Sequence, residues 1–231
     1  MIRRILLAGI MAGLIAGAVG FTAQALKVVP LIHQAEIFEA AALARARLGG
    51  SPAGSVVVAA NSRRQSLARA GLTLAASLLT GAGFGLLLAG AIAFSGRDPT
   101  VMEGLLWGIA GFAVFTLAPA LVVPPHLPGM AESDLATRQL WWLGAAGATG
   151  AGLGLVVFAG RWPVRAAGLA LLALPFISGG PATGTGAGAA LPAALVAAFV
   201  AASMTSSAVF WAVLGVAVSN FLGRFSGPPA A

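Results

Sequence analysis

Cysteine and tyrosine are absent from the 231 residues, and charged side chains make up only 8% of them. Without thiols the chain forms no disulfide and offers no thiolate to a metal, which leaves imidazole, carboxylate, thioether or carbonyl ligands. The shortage of charge excludes more. A soluble domain carries roughly 25% charged residues, whereas this chain is 59% apolar with a mean hydropathy of +0.96. It has too little polar surface to cover a globule. Lysine occurs once, at Lys27, and the net charge of +7 is carried almost wholly by arginine. Those basic residues sit at the ends of apolar segments, as orientation signals do, and do not cluster on a polar face as a nucleic-acid groove requires. No nucleic-acid partner is expected.

What is present is a series of long uncharged runs. Ile5 to Leu26 has no charge in 22 residues, Ala70 to Gly96 none in 27, Leu140 to Gly160 none in 21 and Leu191 to Gly223 none in 33. About 20 apolar residues span a bilayer core as a helix, so each run is long enough. In hydrocarbon every backbone N–H and C=O must be paired within the chain, which leaves helices or a closed barrel. A barrel would alternate apolar and polar residues, and these runs do not. The fold class read from the sequence is an all-α integral membrane protein, a single transmembrane domain of about six helices.

The helices are expected at about Ile5–Leu26, Leu67–Phe94, Thr100–Val123, Gln139–Ala159, Val164–Ser178 and Ala193–Leu222. The fifth is short and carries Pro175, so the count stands at five or six. Arg3-Arg4, an apolar core and Ala23-Gln24-Ala25 imitate a secretory signal, but the 22-residue stretch is longer than a usual signal core, and a retained first helix is expected. Between the first two helices, residues 30–66 read as an amphipathic helix, Leu31 to Leu48, followed by a flexible Ala-, Ser- and Arg-rich segment. Ile32, Ala35, Phe38 and Ala42 would share one side of that helix, with Glu36, Glu39 and Arg45 on other faces. Gly9, Gly13 and Gly17 form a small-xxx-small ladder, as do Gly81 with Gly85, Gly104 with Gly108, and Gly150 with Gly154. Such ladders let helix backbones approach closely in lipid. A large side chain at Gly13 is therefore expected to do more damage than one at Ala12.

Orientation is not decided by charge: six arginines fall on each side of a six-span chain. Parity is more informative. An even number of crossings brings the first and third loops to one face, and that face gathers His33, Glu36, Glu39, His126, Glu132 and Asp134. His33 and Glu36 are three apart and share a side of the amphipathic helix. Imidazole with carboxylate suits a divalent transition metal in a thiol-free protein. Solvated loop residues and helix caps are the plainer account of the same positions. Glu103 is the one acid close to a membrane segment. An intramembrane acid is a functional candidate, yet Thr100-Val101-Met102-Glu103 also matches the capping box S/T-x-x-E. Asp98 is a candidate N-cap with Pro99 as the first helical residue. Thr205, Ser206, Ser207 and Asn220 make the last helix the most polar in the membrane, through backbone or interhelical hydrogen bonds or as a pore lining. Trp211 is expected inside the bundle, the other four tryptophans at the interfaces. Gly184-x-Gly186-x-Gly188 lacks the Gly-Lys-Ser/Thr of a nucleotide-binding loop, and no nucleophile–base set is legible, so no enzyme is expected.

In order and spacing the chain resembles the CbtA-type probable cobalt transporter subunits. The resemblance rests on the Gly-rich first helix running into Val29-Pro30-Leu31-Ile32-His33-Gln34-Ala35-Glu36, and on Gly81-Ala82-Gly83-Phe84-Gly85. It continues through Glu103-Gly104-Leu105-Leu106-Trp107-Gly108, Ala118-Pro119, Pro124-Pro125-His126-Leu127-Pro128-Gly129 and Arg138-Gln139-Leu140-Trp141-Trp142. It implies a multi-pass subunit of the bacterial cytoplasmic membrane for cobalt uptake linked to cobalamin supply, with a small single-span CbtB-type companion bearing histidines. It also implies metal-site candidates at Glu36, Glu39, Glu103 and His126, to which the spacing adds His33. No cofactor is expected to be held permanently; cobalt or nickel would be cargo. Membrane lipid is the surrounding partner, and a homo-oligomer is left open. One departure from the family pattern is the segment from Arg45 to Arg69, which lacks the His and acid common in the relatives' first loop. A second reading, from another class, is a non-transporting membrane scaffold for a larger complex.

Overall fold

The structure, a computed structural model, describes residues 2–48, 62–96, 99–130, 133–182 and 191–225. Every regular element among them is helical. They are α1 (Ile2–Lys27), α2 (Val29–Leu48), α3 (Ser62–Phe94), α4 (Val101–Phe112), a π-helical turn (Ala113–Leu117), α5 (Ala118–Val122), α6 (Leu135–Phe158), α7 (Trp162–Ser178) and α8 (Ala193–Arg224). Five stretches are long and apolar enough to cross a membrane: α1, Leu67–Phe94 of α3, Val101–Val122, α6 and α8. With 17 residues α7 is shorter, about 25 Å at 1.5 Å per residue. It nevertheless runs back along α6, because the Trp141 indole at the start of α6 donates to the Gly179 carbonyl beyond the end of α7 at 2.6 Å. This is an all-α membrane bundle whose chain runs between its two ends six times.

Small residues hold the bundle together. The buried face of α1 is Ala8, Gly9, Ala12, Gly13, Ala16, Gly17 and Gly20, a stripe with no side chain larger than a methyl. Gly9 meets Gly85 of α3, Gly13 meets Gly81 and Gly17 meets Ser77, an antiparallel register in which backbone touches backbone. On its other side α1 packs on α8, where the Arg4 guanidinium donates to the Leu222 carbonyl at 2.9 Å. Gly104 and Gly108 of α4 lie against Gly215 and Ser219 of α8 in the same manner. In hydrocarbon there is no hydrophobic drive between helices, so this close van der Waals packing supplies the cohesion. Ala12 is itself fully buried, so it is not the tolerant neighbour of Gly13 that the ladder alone implied. The Gly150–Gly154 pair is also not a packing ladder within the chain. A Cβ at Gly154 would meet nothing, while Gly152 lies against Gly168 of α7. Residues two apart on a helix differ by about 200°, so α7 takes the face opposite the one the spacing selected.

Around Trp211 an aromatic cluster replaces the small residues. Its ring stacks on Phe115 at 5.5 Å with a 6° interplanar angle and lies 5.0 Å from Phe84. Trp211 is buried, as expected, and its indole N–H donates to the Thr116 hydroxyl at 3.3 Å. Thr116 lies in the π turn just before Pro119. Proline has no N–H to continue the ladder, and the chain loosens there, with Ala118 N–H reaching back to Ala113 O.

The start of α4 is fixed by a closed capping box. The Thr100 hydroxyl accepts from Glu103 N–H at 3.2 Å, and the Glu103 carboxylate accepts from Thr100 N–H at 2.7 Å. The N-cap is thus Thr100, and Pro99 precedes it instead of opening the helix; Asp98 and Arg97 lie outside the described residues. Of the α8 hydroxyls, Thr205 turns back onto Ala201 O at 2.8 Å and Ser219 onto Val216 O at 2.9 Å, as the backbone-bonding account expects. Glu132 and the Gly184–Gly188 segment also lie outside the described residues.

Candidate functional site

The candidate residues other than Glu103 lie at the end of the bundle opposite the N-terminus. There α1 stops at Lys27, the chain turns at Val28, and α2 begins with Pro30 in its first turn, where a missing N–H costs nothing. α2 does not swing free. Val28 and Ala35 are buried with Leu127 of the loop after α5 and with Leu195 and Phe199 of α8, and Leu31 and Ile32 pack on that cluster. The packed stripe is therefore Val28, Leu31, Ile32 and Ala35. Phe38, expected beside them, is 42% exposed. The same cluster binds the first and third loops into one surface, so His33 and His126 occupy the same end.

Within that surface the structure brings together one pair. His33 Nδ1 lies 3.0 Å from Glu36 Oε2, and Arg69 of α3 approaches Glu36 Oε1 at 3.8 Å. All three side chains are exposed to a large degree: His33 59%, Glu36 42% and Arg69 71%. Glu39 follows three residues later on α2. His126 is apart from them, in a pocket of about 380 Å³ after α5 with Pro119, Pro124, Arg138, Gln139, Trp141 and Trp142. Its charged neighbour there is a guanidinium, which does not favour a cation. Among the described residues no three His, Asp or Glu side chains stand close enough together to hold a metal. The convergence of His126 with Glu36 and Glu39 implied by the loop parity is not assembled.

Glu103 is at the other end of the bundle from the His33–Glu36 pair. It is engaged in the α4 capping box and also lines a cleft of about 900 Å³ between α3, α4 and α6. That cleft is walled by aliphatic and aromatic side chains, among them Phe84, Leu106, Trp107, Phe115, Leu153 and Trp211. A hydrated divalent ion gains nothing from such walls, since burying charge without partners is expensive. The third acid with a defined role is Asp134, the N-cap of α6. Its carboxylate accepts from Thr137 N–H at 3.0 Å and from the Thr137 hydroxyl at 3.1 Å. Those bonds, the backbone one foremost, hold its pKa below the usual aspartate value. It is a cap, not a ligand. Arg69 is the residue that sequence reasoning passed over at this site. Nothing in its local sequence signals a role, since its approach to Glu36 joins two different helices, α3 and α2.

Together these features define a multi-pass, all-α membrane protein whose polar chemistry sits at its ends. The family model described as "Probable cobalt transporter subunit (CbtA)" matches residues 2–223, nearly the whole chain, and the protein belongs to that family. No curated protein and no solved structure matches it.

Proposed function

We propose that this protein is the multi-span subunit for uptake of a divalent transition-metal cation, cobalt, across the bacterial cytoplasmic membrane, working with a single-span CbtB-type companion and serving cobalamin supply. The observation that carries the reading is the His33–Glu36 pair at 3.0 Å on a helix anchored to the bundle end. A neutral imidazole nitrogen and a carboxylate oxygen form a ligand set that borderline metals such as Co and Ni accept, whereas Mg and Ca prefer oxygen alone. Two ligands receive an ion without trapping it. Water completes a loose capture site, and the companion contributes ligands for the crossing itself. The metal is cargo, no resident cofactor is needed, and no bond of a substrate is made or broken.

The apolar character of the large cleft favours a second reading, a scaffold that assembles other subunits without conducting metal. Cobalt accumulation separates the two. It is measured in a strain lacking its other importers, with the chain and companion expressed singly and together. Transport predicts accumulation that needs both subunits and falls in His33→Ala and Glu36→Gln. Unchanged accumulation in both variants would leave the scaffold.

A further inference from the structure

Thr149, in the middle third of α6, is 5% exposed, and its hydroxyl has no hydrogen-bond partner. A buried hydroxyl ordinarily finds one, because leaving the bond unmade is costly. A helical threonine has an acceptor close at hand, the carbonyl four residues back. Thr22, Thr73 and Thr205 all take it, donating to Ala18 O at 2.9 Å, Arg69 O at 2.9 Å and Ala201 O at 2.8 Å. Those three bonds are exposed. The buried Thr149 does not make the corresponding bond to the Ala145 carbonyl.

A second polar group stands open on the neighbouring helix. Pro175 lies inside α7 and is buried. It has no N–H, so the Leu171 carbonyl, four residues earlier, lacks its helical donor. The register of α6 against α7 is fixed at two points. A Cβ at Gly152 would stand 2.7 Å from the Gly168 oxygen and 3.0 Å from the Leu172 nitrogen. Nearer the other end, the Trp141 indole donates to the Gly179 carbonyl. The helices run antiparallel, so one turn back from Gly152 on α6 matches one turn on from Gly168 and Leu172 on α7. That places Thr149 level with the interval from Leu171 to Pro175, into which the open carbonyl points. The faces agree as well. Thr149 shares a buried stripe with Ala145 and Gly152, and Pro175 shares one with Gly168, two turns earlier.

We propose that the Thr149 hydroxyl is the donor to the Leu171 carbonyl, a clasp that holds α7 on α6 at its proline hinge. The structure shows the clasp open, and rotation of Thr149 about χ1 closes it. Beyond the hinge, Gly180 lies against Val122 and Val123, and Val123 lines the His126 pocket. The clasp therefore sets where this end of α7 stands against that pocket. The inference is independent of what the chain transports.

A double-substitution cycle on the full chain tests it. Thr149→Val removes the hydroxyl and keeps the branched shape, and Pro175→Ala returns an N–H to the Leu171 carbonyl. Reversible unfolding in detergent micelles should show Thr149→Val lowering the folding equilibrium constant about three- to twentyfold, as loss of a hydrogen bond between membrane helices does. In the Pro175→Ala background the same substitution should cost less than about twofold, since the carbonyl then has its own helical donor. Thr149→Ser keeps the donor and should stay close to the parent. Deuterium exchange gives a second readout that does not need Pro175→Ala to fold. The amides of Phe176, Ile177 and Ser178 should exchange several-fold faster in Thr149→Val than in Thr149→Ser, with those of α1 unchanged. An equal cost in both backgrounds would overturn the clasp and assign the hydroxyl to its own helix. Thr149→Val as stable as Thr149→Ser, or exchange that accelerates alike in α1 and α7, would overturn it too.

Discussion

Gly13 of α1 lies directly against the Gly81 carbonyl of α3, at the centre of a register that also pairs Gly9 with Gly85 and Gly17 with Ser77. At the ends of that register, a Cβ on Gly17 would stand 2.6 Å from the Ser77 oxygen and one on Gly9 would stand 2.9 Å from the Gly85 oxygen. The obstacle is backbone, which cannot swing aside as a side chain can. Overpacking a fitted interior costs about 1–3 kcal/mol, and Gly13→Leu should reach or exceed that range. Met11, 42% exposed on the lipid-facing side of α1, is the fair control in place of the buried Ala12. Thermal melting in detergent should show Gly13→Leu strongly destabilised and Met11→Leu close to the parent. Equal melting temperatures would mean that α1 and α3 do not meet on this stripe.

The cluster of Val28, Ala35, Leu127, Leu195 and Phe199 carries a topological prediction. It binds α2 to the loop after α5, so single cysteines at His33 and His126 should be labelled by an impermeant maleimide from one side of the membrane. A cysteine at Arg161, in the turn between α6 and α7, should be labelled from the other. Labelling of positions 33 and 161 from the same side would break the six-traverse arrangement. Which side faces the cytoplasm is a separate outcome, since the arginine count favours neither.

Much of this architecture is legible in the residues because lipid imposes a simple rule. An uncharged run of 22 residues such as Ile5 to Leu26 has no stable alternative to a helix in hydrocarbon. The Thr100–Glu103 box was equally plain, since both partners of a cap lie within one turn. What a sequence does not carry is which face of a glycine-rich helix meets which neighbour. Gly150 and Gly154 have the same spacing as Gly9 and Gly13, but α7 lies against Gly152 instead. The site divides likewise. His33 with Glu36 follows from helical period alone, whereas the separation of His126 from them, and its place beside Arg138, depend on how the loop after α5 is folded.

Asp134 gives a pH prediction. Its folded pKa is depressed by the Thr137 N–H and hydroxyl, so its capping contribution is fully present above the ordinary aspartate value. It is lost as pH falls through the depressed one. Hydrogen exchange at the start of α6 should therefore be slow at neutral pH and accelerate, beyond the intrinsic pH effect, only in strong acid. Asp134→Ala should exchange fast at neutral pH, with no further loss on acidification; asparagine, a good N-cap itself, should retain most of the protection. A parent protein whose α6 start exchanges no more slowly than that of Asp134→Ala at neutral pH would show that the cap does not hold this helix.

The most direct test of metal capture turns on Arg69, whose guanidinium lies 3.8 Å from Glu36 Oε1 while His33 Nδ1 lies 3.0 Å from Oε2. A divalent cation arriving at the pair competes with Arg69 for the carboxylate and carries its charge closer. The three variants therefore separate by sign. His33→Ala and Glu36→Gln each remove a ligand and should weaken cobalt binding on the order of tenfold or more, in line with the 10–100-fold that even supporting groups of metal sites are worth. Arg69→Gln removes a competing charge. The contact is largely exposed, so its worth is about 0–1 kcal/mol, and binding should tighten by up to about fivefold. Calorimetry on the purified complex with its companion reads all three against Mg as a control, which should respond little to His33→Ala because it does not favour imidazole. A structural role for the network predicts the opposite pattern, with Arg69→Gln harmful and all three variants lowering the melting temperature without a cobalt-specific effect. Weakened cobalt binding in Arg69→Gln, or cobalt and Mg responding alike to His33→Ala, would remove the pair as the capture site.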